Sequence, residues 1–189
     1  MTVCLIGGAS ASGSFEVNTG ATASEIIGKV FIVHAHDGSR IGCAVIDTQN
    51  MAKAFVKYCS VQRAACSMQH ALCNTVDLDR YFNYAGALSV SGTVGPISTT
   101  GTTLTASYLL SGVDPLCAEG AGPKANSCGV HIHAGSTCDA DALGHYFTGA
   151  VTADPWKTIT YQTAGKPHCG LYAPCEGQVQ PCSRMCPQQ

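Results

Sequence analysis

The sequence predicts an all-β fold, a sandwich or barrel of short antiparallel strands with one helix inserted. Apolar and polar residues alternate over short runs, and Gly-, Ser- and Asp-containing turns punctuate those runs. A single stretch in the middle lacks both features.

Taken in order, Phe15 and Val17 alternate first, then Val30, Ile32 and His34, then Ile41, Cys43 and Val45. Asp37 and Gly38 supply the turn between the last two runs. Leu88 and Val90, then Leu104, Ala106 and Tyr108, and finally Ile159 and Tyr161 repeat the pattern. Successive strand side chains point to opposite faces, so such runs bury one face and wet the other. Residues 51 to 73 contain no Gly or Pro and are rich in Ala, Lys, Gln and Met, which predicts a helix ending near Asn74. Its Cys59, Cys66 and Cys73 recur every seven residues on one face. Neighbours among them lie about 10 Å apart along the axis at ~1.5 Å per residue, too far to bond to each other. From Gly165 onward, Cys169, Cys175, Cys182 and Cys186 follow no period and read as an irregular cysteine-stapled tail.

Composition narrows the function classes. The 189 residues are 46 % hydrophobic and 12 % charged, enough to fill a core and unlike a disordered chain. A net charge of −2 argues against nucleic acid or an anionic membrane as partner. No apolar run nears the ~20 residues of a membrane span. The N-terminal segment has no basic stretch and only a short apolar patch, so it does not read as a signal peptide. Twelve cysteines, none in a CxxC pair, nevertheless point to disulfides and an extracellular or secretory location.

The densest chemical signal runs from Cys128 to Phe147, CGVHIHAGSTCDADALGHYF. On a strand His131 and His133 share a face, so both imidazoles can reach one metal, while Val130 and Ile132 turn toward a core. An HxH pair by itself is more often two surface histidines. His145, returning after a short loop, makes three imidazoles within fifteen residues, a donor set suited to copper or zinc. A second signal, Lys29 to Ile46, is a strand ending in His34, a turn, Arg40 and a strand holding Cys43. Arg40 reads either as an anion-guiding group or as a salt-bridge partner of Asp37. His36 reads as a solvent-facing turn residue, Trp156 as a packing residue at a strand start, and His70 and His168 carry no pattern.

Together these segments resemble the copper/zinc superoxide dismutase family, and in particular its copper-only, repeat-type members. The HxH strand followed by Cys and Gly-His-aromatic is similar to the family's first copper-binding stretch. Residues 33 to 43 are similar to its final Val-His and Gly-x-Arg-x-x-Cys stretch, and residues 87 to 161 resemble the repeat-type modules. The resemblance implies a Greek-key, immunoglobulin-like barrel or sandwich of about eight antiparallel strands. It implies that His34, His131, His133 and His145 are copper ligands, with His145 where the two-metal enzymes bridge copper to zinc. It makes Arg40 the anion-guiding residue, joins Cys43 to Cys138, and pairs Cys117 with Cys128.

Two departures shape the expectation. After His145 only TGAVTADPW intervenes before the next expected strand, and Asp154 alone cannot make a zinc site, so one copper and no zinc are expected. The order is also permuted: residues 1–48 resemble the family's C-terminal half and 84–165 its N-terminal half. Residues 49–83 form a helical, cysteine-containing linker, and 166–189 the tail. A closed barrel within one chain is expected, with pairing to like modules or a homodimer as the rival. The expected activity is copper-dependent disproportionation of superoxide to oxygen and hydrogen peroxide, with His145 carrying a proton. A non-catalytic copper-binding module and a structural extracellular module fit the same residues.

Overall fold

In the Asp37–Gly38 turn local chemistry already dictates geometry. Gly38 adopts φ +86, where side chains are disfavoured, and a Cβ there would lie 2.3 Å from the Ala125 carbonyl oxygen. Asp37 accepts a hydrogen bond from the Ser39 amide, and the Ala35 amide donates to Ser39 O, so the hairpin closes tightly. This hairpin belongs to a computed structural model describing residues 8–48 and 76–164. The expected helix over 51–73 and the tail over 166–189 lie outside the described residues, as do His70 and His168.

The architecture is two four-stranded antiparallel sheets. The first has the order β1 (Ala9–Asn18), β7 (Thr103–Val113), β6 (Ser91–Thr100), β4 (Val76–Asp77). The second has the order β5 (Asp79–Arg80), β3 (Arg40–Val45), β2 (Val30–His34), β8 (Val130–His133). Both described segments therefore contribute to both sheets. The chain crosses between sheets at Leu78, which is buried and whose amide donates to Gly92 O. The stretch expected as linker thus ends in strand.

Alternation explains the packing. Val17, Leu104, Ala106 and Leu110 from the first sheet meet Phe31, Val33, Ile41, Val130 and Ile132 from the second in one core. Burying each large aliphatic or aromatic side chain contributes about 1.5–3 kcal/mol. The β6–β7 hairpin closes through a two-residue turn with Gly101 at φ +63, the left-handed position that such turns require.

Every residue of β2 is buried, so this strand is covered on both faces. Phe31 and Val33 face the core between the sheets. Val30 and Ile32 face outward into a second cluster with Cys43, Tyr81 and Ala142. The outer face of the second sheet is thus roofed by the loop after β8, and the histidines lie under that roof.

Two elements differ from expectation. A four-residue helix, α1 (Ala23–Ile26), starts at Thr22, whose amide donates to the Glu25 carboxylate at 2.8 Å. The pattern T-x-x-E marks this cap in the sequence. Ile159–Tyr161 is not a regular strand: Trp156 lies within a 3₁₀ turn (Pro155–Thr158), and Thr160 makes an isolated bridge with Gly129. Asp154 caps that turn and Pro155 stands at its start, a pairing that favours a helical turn over extended chain. Val90 is buried immediately before β6 begins.

Candidate metal centre

The pleat sets the positions of three imidazoles. In β2 and β8 Ile32 pairs with His131 and Val30 with His133, so these residues and His34 project to the same outward face. Val130 and Ile132 point into the core, as the alternation predicts. His145 comes from the roofing loop and reaches β8 by an isolated bridge to His133. One ring nitrogen from each of His34, His131, His133 and His145 lies within 4.8 Å of the others.

The other ring nitrogen of each histidine has an oxygen partner. His34 Nδ1 meets Gly38 O at 2.9 Å, His133 Nδ1 meets Leu143 O at 2.8 Å, and His131 Nε2 meets Ile159 O at 3.0 Å. A carbonyl only accepts, so each of these nitrogens must carry the proton and donate it. His145 Nδ1 donates to the Asp154 carboxylate at 2.8 Å. All four lone pairs are thereby turned inward. His131 Nδ1 and His145 Nε2 are buried without a hydrogen-bond partner, and His34 Nε2 faces His133 Nε2 at 3.3 Å. Buried lone pairs left unpaired, or set against each other, are costly. A cation drawn to all four removes that cost, so the residues present fit a bound metal.

Electrostatics keep the rings in the ligating form. Burial, with the neighbouring rings and Arg40 adding to it, lowers His34 to about 4 and His133 to about 3. Burial together with the other three histidines lowers His131 to about 2. Neutral imidazole is the metal-binding species.

Around the centre, two disulfides fix the loops. Cys43–Cys138 ties β3 to the roofing loop, and Cys117–Cys128 closes the loop that precedes β8. These bonds are compatible with an oxidising environment. Within the roof, Leu143 O accepts from both His133 and Arg40, and the Ala142 amide donates to Tyr81 Oη. Leu143 sits at φ +62, unusual for a leucine. Arg40 does not pair with Asp37, which is spent on the turn; its guanidinium binds Asp141, Leu143 O and Tyr81 Oη.

Other expectations resolve simply. His36 is half-buried over Gly122 and stands outside the four-histidine group. Trp156 is buried, donates its indole N–H to Tyr146 O, and packs near the His131 ring. Tyr161 is buried and donates to His34 O, steadying the end of β2. Sequence reading gave Asp154 no role; here it both caps the Pro155–Thr158 turn and holds His145. Its D-P-W context is a cap signal, but nothing in the sequence points it at a histidine.

Three of the histidines, His131, His133 and His145, open on a cavity of about 780 Å³ that Arg40, Lys124 and Lys157 also line. Among the described residues, no helix is long and apolar enough to cross a membrane. No family model, curated protein or solved structure matches the chain.

Proposed function

We propose that the four histidines hold one copper ion, and that the chain is a copper-dependent superoxide dismutase of the copper-only kind. In this reading its two sheets are the family's Greek-key barrel, closed within one chain from halves in permuted order, and it works outside the cell. The observation that carries the reading is the inward convergence of four imidazole lone pairs, with every proton committed outward. The motif resemblance names the metal and the reaction.

Copper in such a site supplies a Cu(II)/Cu(I) couple, through which two superoxide ions and two protons become oxygen and hydrogen peroxide. The protein's part is to admit, hold and protonate. Arg40 lines the cavity beside the histidines and holds the anion at close range. His145 differs from the other three in resting on a carboxylate rather than a carbonyl. In this reading Asp154 holds the Nδ1 proton, and His145 Nε2 is the atom that takes up and delivers a proton.

Stopped-flow decay of superoxide, comparing metal-free protein with protein carrying one equivalent of copper, tests the reading. Fast catalytic, copper-dependent decay supports it; copper uptake with decay no faster than buffer removes it. Arg40→Ala should slow turnover about tenfold while copper stays bound. Unchanged turnover in that variant rejects the role given to Arg40. The Arg40–Asp141 pair favours a second reading, a module that stores or transfers copper with little turnover. Such a module would leave Arg40 dispensable.

A further inference from the structure

Tyr81 reaches the site from the end of the stretch read as linker. Its amide donates to Ile41 O, which anchors it to β3 next to Arg40. Its ring is buried with Val30, Ile32, Cys43 and Ala142 in the cluster beneath the roof. Both lone pairs of its hydroxyl oxygen are engaged: Arg40 Nη1 donates to it at 3.0 Å and the Ala142 amide at 3.1 Å. Next in the chain, Leu143 O accepts from Arg40 Nη2 and from His133 Nδ1. One phenol oxygen thus joins the guanidinium to the roof segment that orients a metal-facing histidine.

We propose that Tyr81 is a positioning residue, whose hydroxyl fixes Arg40 at the histidine cavity and locks the roof segment to the same point. The inference rests on the reading of the four-histidine group as a copper centre that takes an anion beside Arg40. Arg40 lines the histidine cavity and also a second one of about 660 Å³, which Asp37, Tyr81, Tyr84 and Asp141 line with it. A guanidinium on the wall between two cavities has room to swing, and a bond to a packed phenol removes that freedom. Asp141 also binds Arg40 but does not fix it. Its side chain is 68 % exposed and can move with the guanidinium, and exposed ion pairs constrain little.

Tyr81→Phe tests this in the whole chain. It keeps the ring, its packing and its contact with the guanidinium, whose carbon lies 5.6 Å from the ring centroid, and removes the hydroxyl. In the metal-free protein, hydrogen exchange at the Ala142 amide should quicken about tenfold, while the amides of β2 and β3 keep their protection. Unchanged exchange at Ala142, or protection lost throughout β2 and β3, overturns the inference; the second result would assign the hydroxyl to the fold alone. In the copper-loaded protein, with equal copper content established for each variant, azide affinity is read from the visible absorption band of its cupric complex. Tyr81→Phe should weaken azide binding about fivefold. In an Arg40→Ala background the same substitution should change it by less than about twofold, because the phenol acts through the guanidinium. Parental affinity in Tyr81→Phe, or an equal loss with and without Arg40, overturns the positioning role. Superoxide decay is followed in the same samples. Azide binding that depends on Tyr81 through Arg40, without catalytic decay, would remove the dismutase reading and leave this inference standing. Catalytic decay with azide binding indifferent to Tyr81 would do the reverse.

Discussion

The candidate metal centre has a strand-held part and a loop-held part, and the two are built differently. His34, His131 and His133 project from adjacent β2 and β8, and carbonyl oxygens hold their protons. His145 comes from a loop, and a carboxylate holds its proton. Strand pairing fixes three rings to the pleat of β2 and β8, whose residues are all buried. The fourth depends on a side chain, Asp154, and on a roof tied down by Cys43–Cys138. The difference teaches that backbone pairing sets three of the rings, while the fourth is set by a loop side chain.

Breaking the strand-held part should have the largest effect. His133→Ala removes a ring nitrogen facing His34 Nε2 and releases Leu143 O from one of its two donors. On the proposed reading, copper affinity should fall by more than about a hundredfold, beyond the 10–100-fold cost of losing a ligand's outer partner, and the proposed copper-dependent activity should disappear. Competition with a chelator of known affinity measures it; retention of tight copper would show that the ring is not a ligand.

Acid should break the same part without mutation. The three strand-held histidines have folded-state values of about 4, 2 and 3, below the unfolded value of about 6.5. The unfolded chain therefore binds protons that the folded chain refuses. Stability of the metal-free protein is full above pH ~6.5 and declines as pH falls toward the folded values, by up to about 1.4 kcal/mol per pH unit for each ring. Denaturant titrations at three pH values between 7.5 and 5 measure this. A flat profile would mean that these rings are not buried as neutral imidazoles.

This division also separates what was legible in the sequence from what was not. His131, His133, Val130 and Ile132 alternate, so period two alone places the imidazoles on one face and the aliphatics in the core. The Asp37–Gly38 turn is equally local. The oxygens that orient the rings belong to Gly38, Leu143 and Ile159, and a backbone carbonyl leaves no mark of its own in a sequence. Asp154 shows a cap signal but its bond to His145 is tertiary. The crossing at Leu78 sits at the end of the stretch read as linker, where two-residue strands are too short to show a period. Closeness in sequence grouped His145 with the pair, and the motif resemblance added His34, which alternation could not do.

A smaller effect is expected in the loop-held part. Asp154→Asn leaves an oxygen to cap the Pro155–Thr158 turn but removes the charge behind His145. Copper affinity should fall about tenfold, the usual cost of losing a histidine's carboxylate partner, while the fold is kept. Asp154→Ala should lose about 1 kcal/mol of stability as well, because the cap goes with it. An affinity equal to that of the parent would show that the loop-held ring needs no carboxylate.

The smallest expected effect has the opposite sign. Leu143 must aim its carbonyl at both His133 and Arg40, and it does so at φ +62, a conformation that costs a leucine about 1–2 kcal/mol. The residue is 53 % exposed, so little packing compensates. Glycine adopts that backbone freely, but it also loosens the unfolded chain. The two terms oppose each other, and Leu143→Gly should raise stability by about 0.5–1 kcal/mol with copper affinity unchanged. Thermal unfolding of the metal-free protein measures the gain. A loss instead would mean that the exposed leucine secures the roof through its contacts, and the loop-held part would then rest on packing as well as on its disulfide and Asp154.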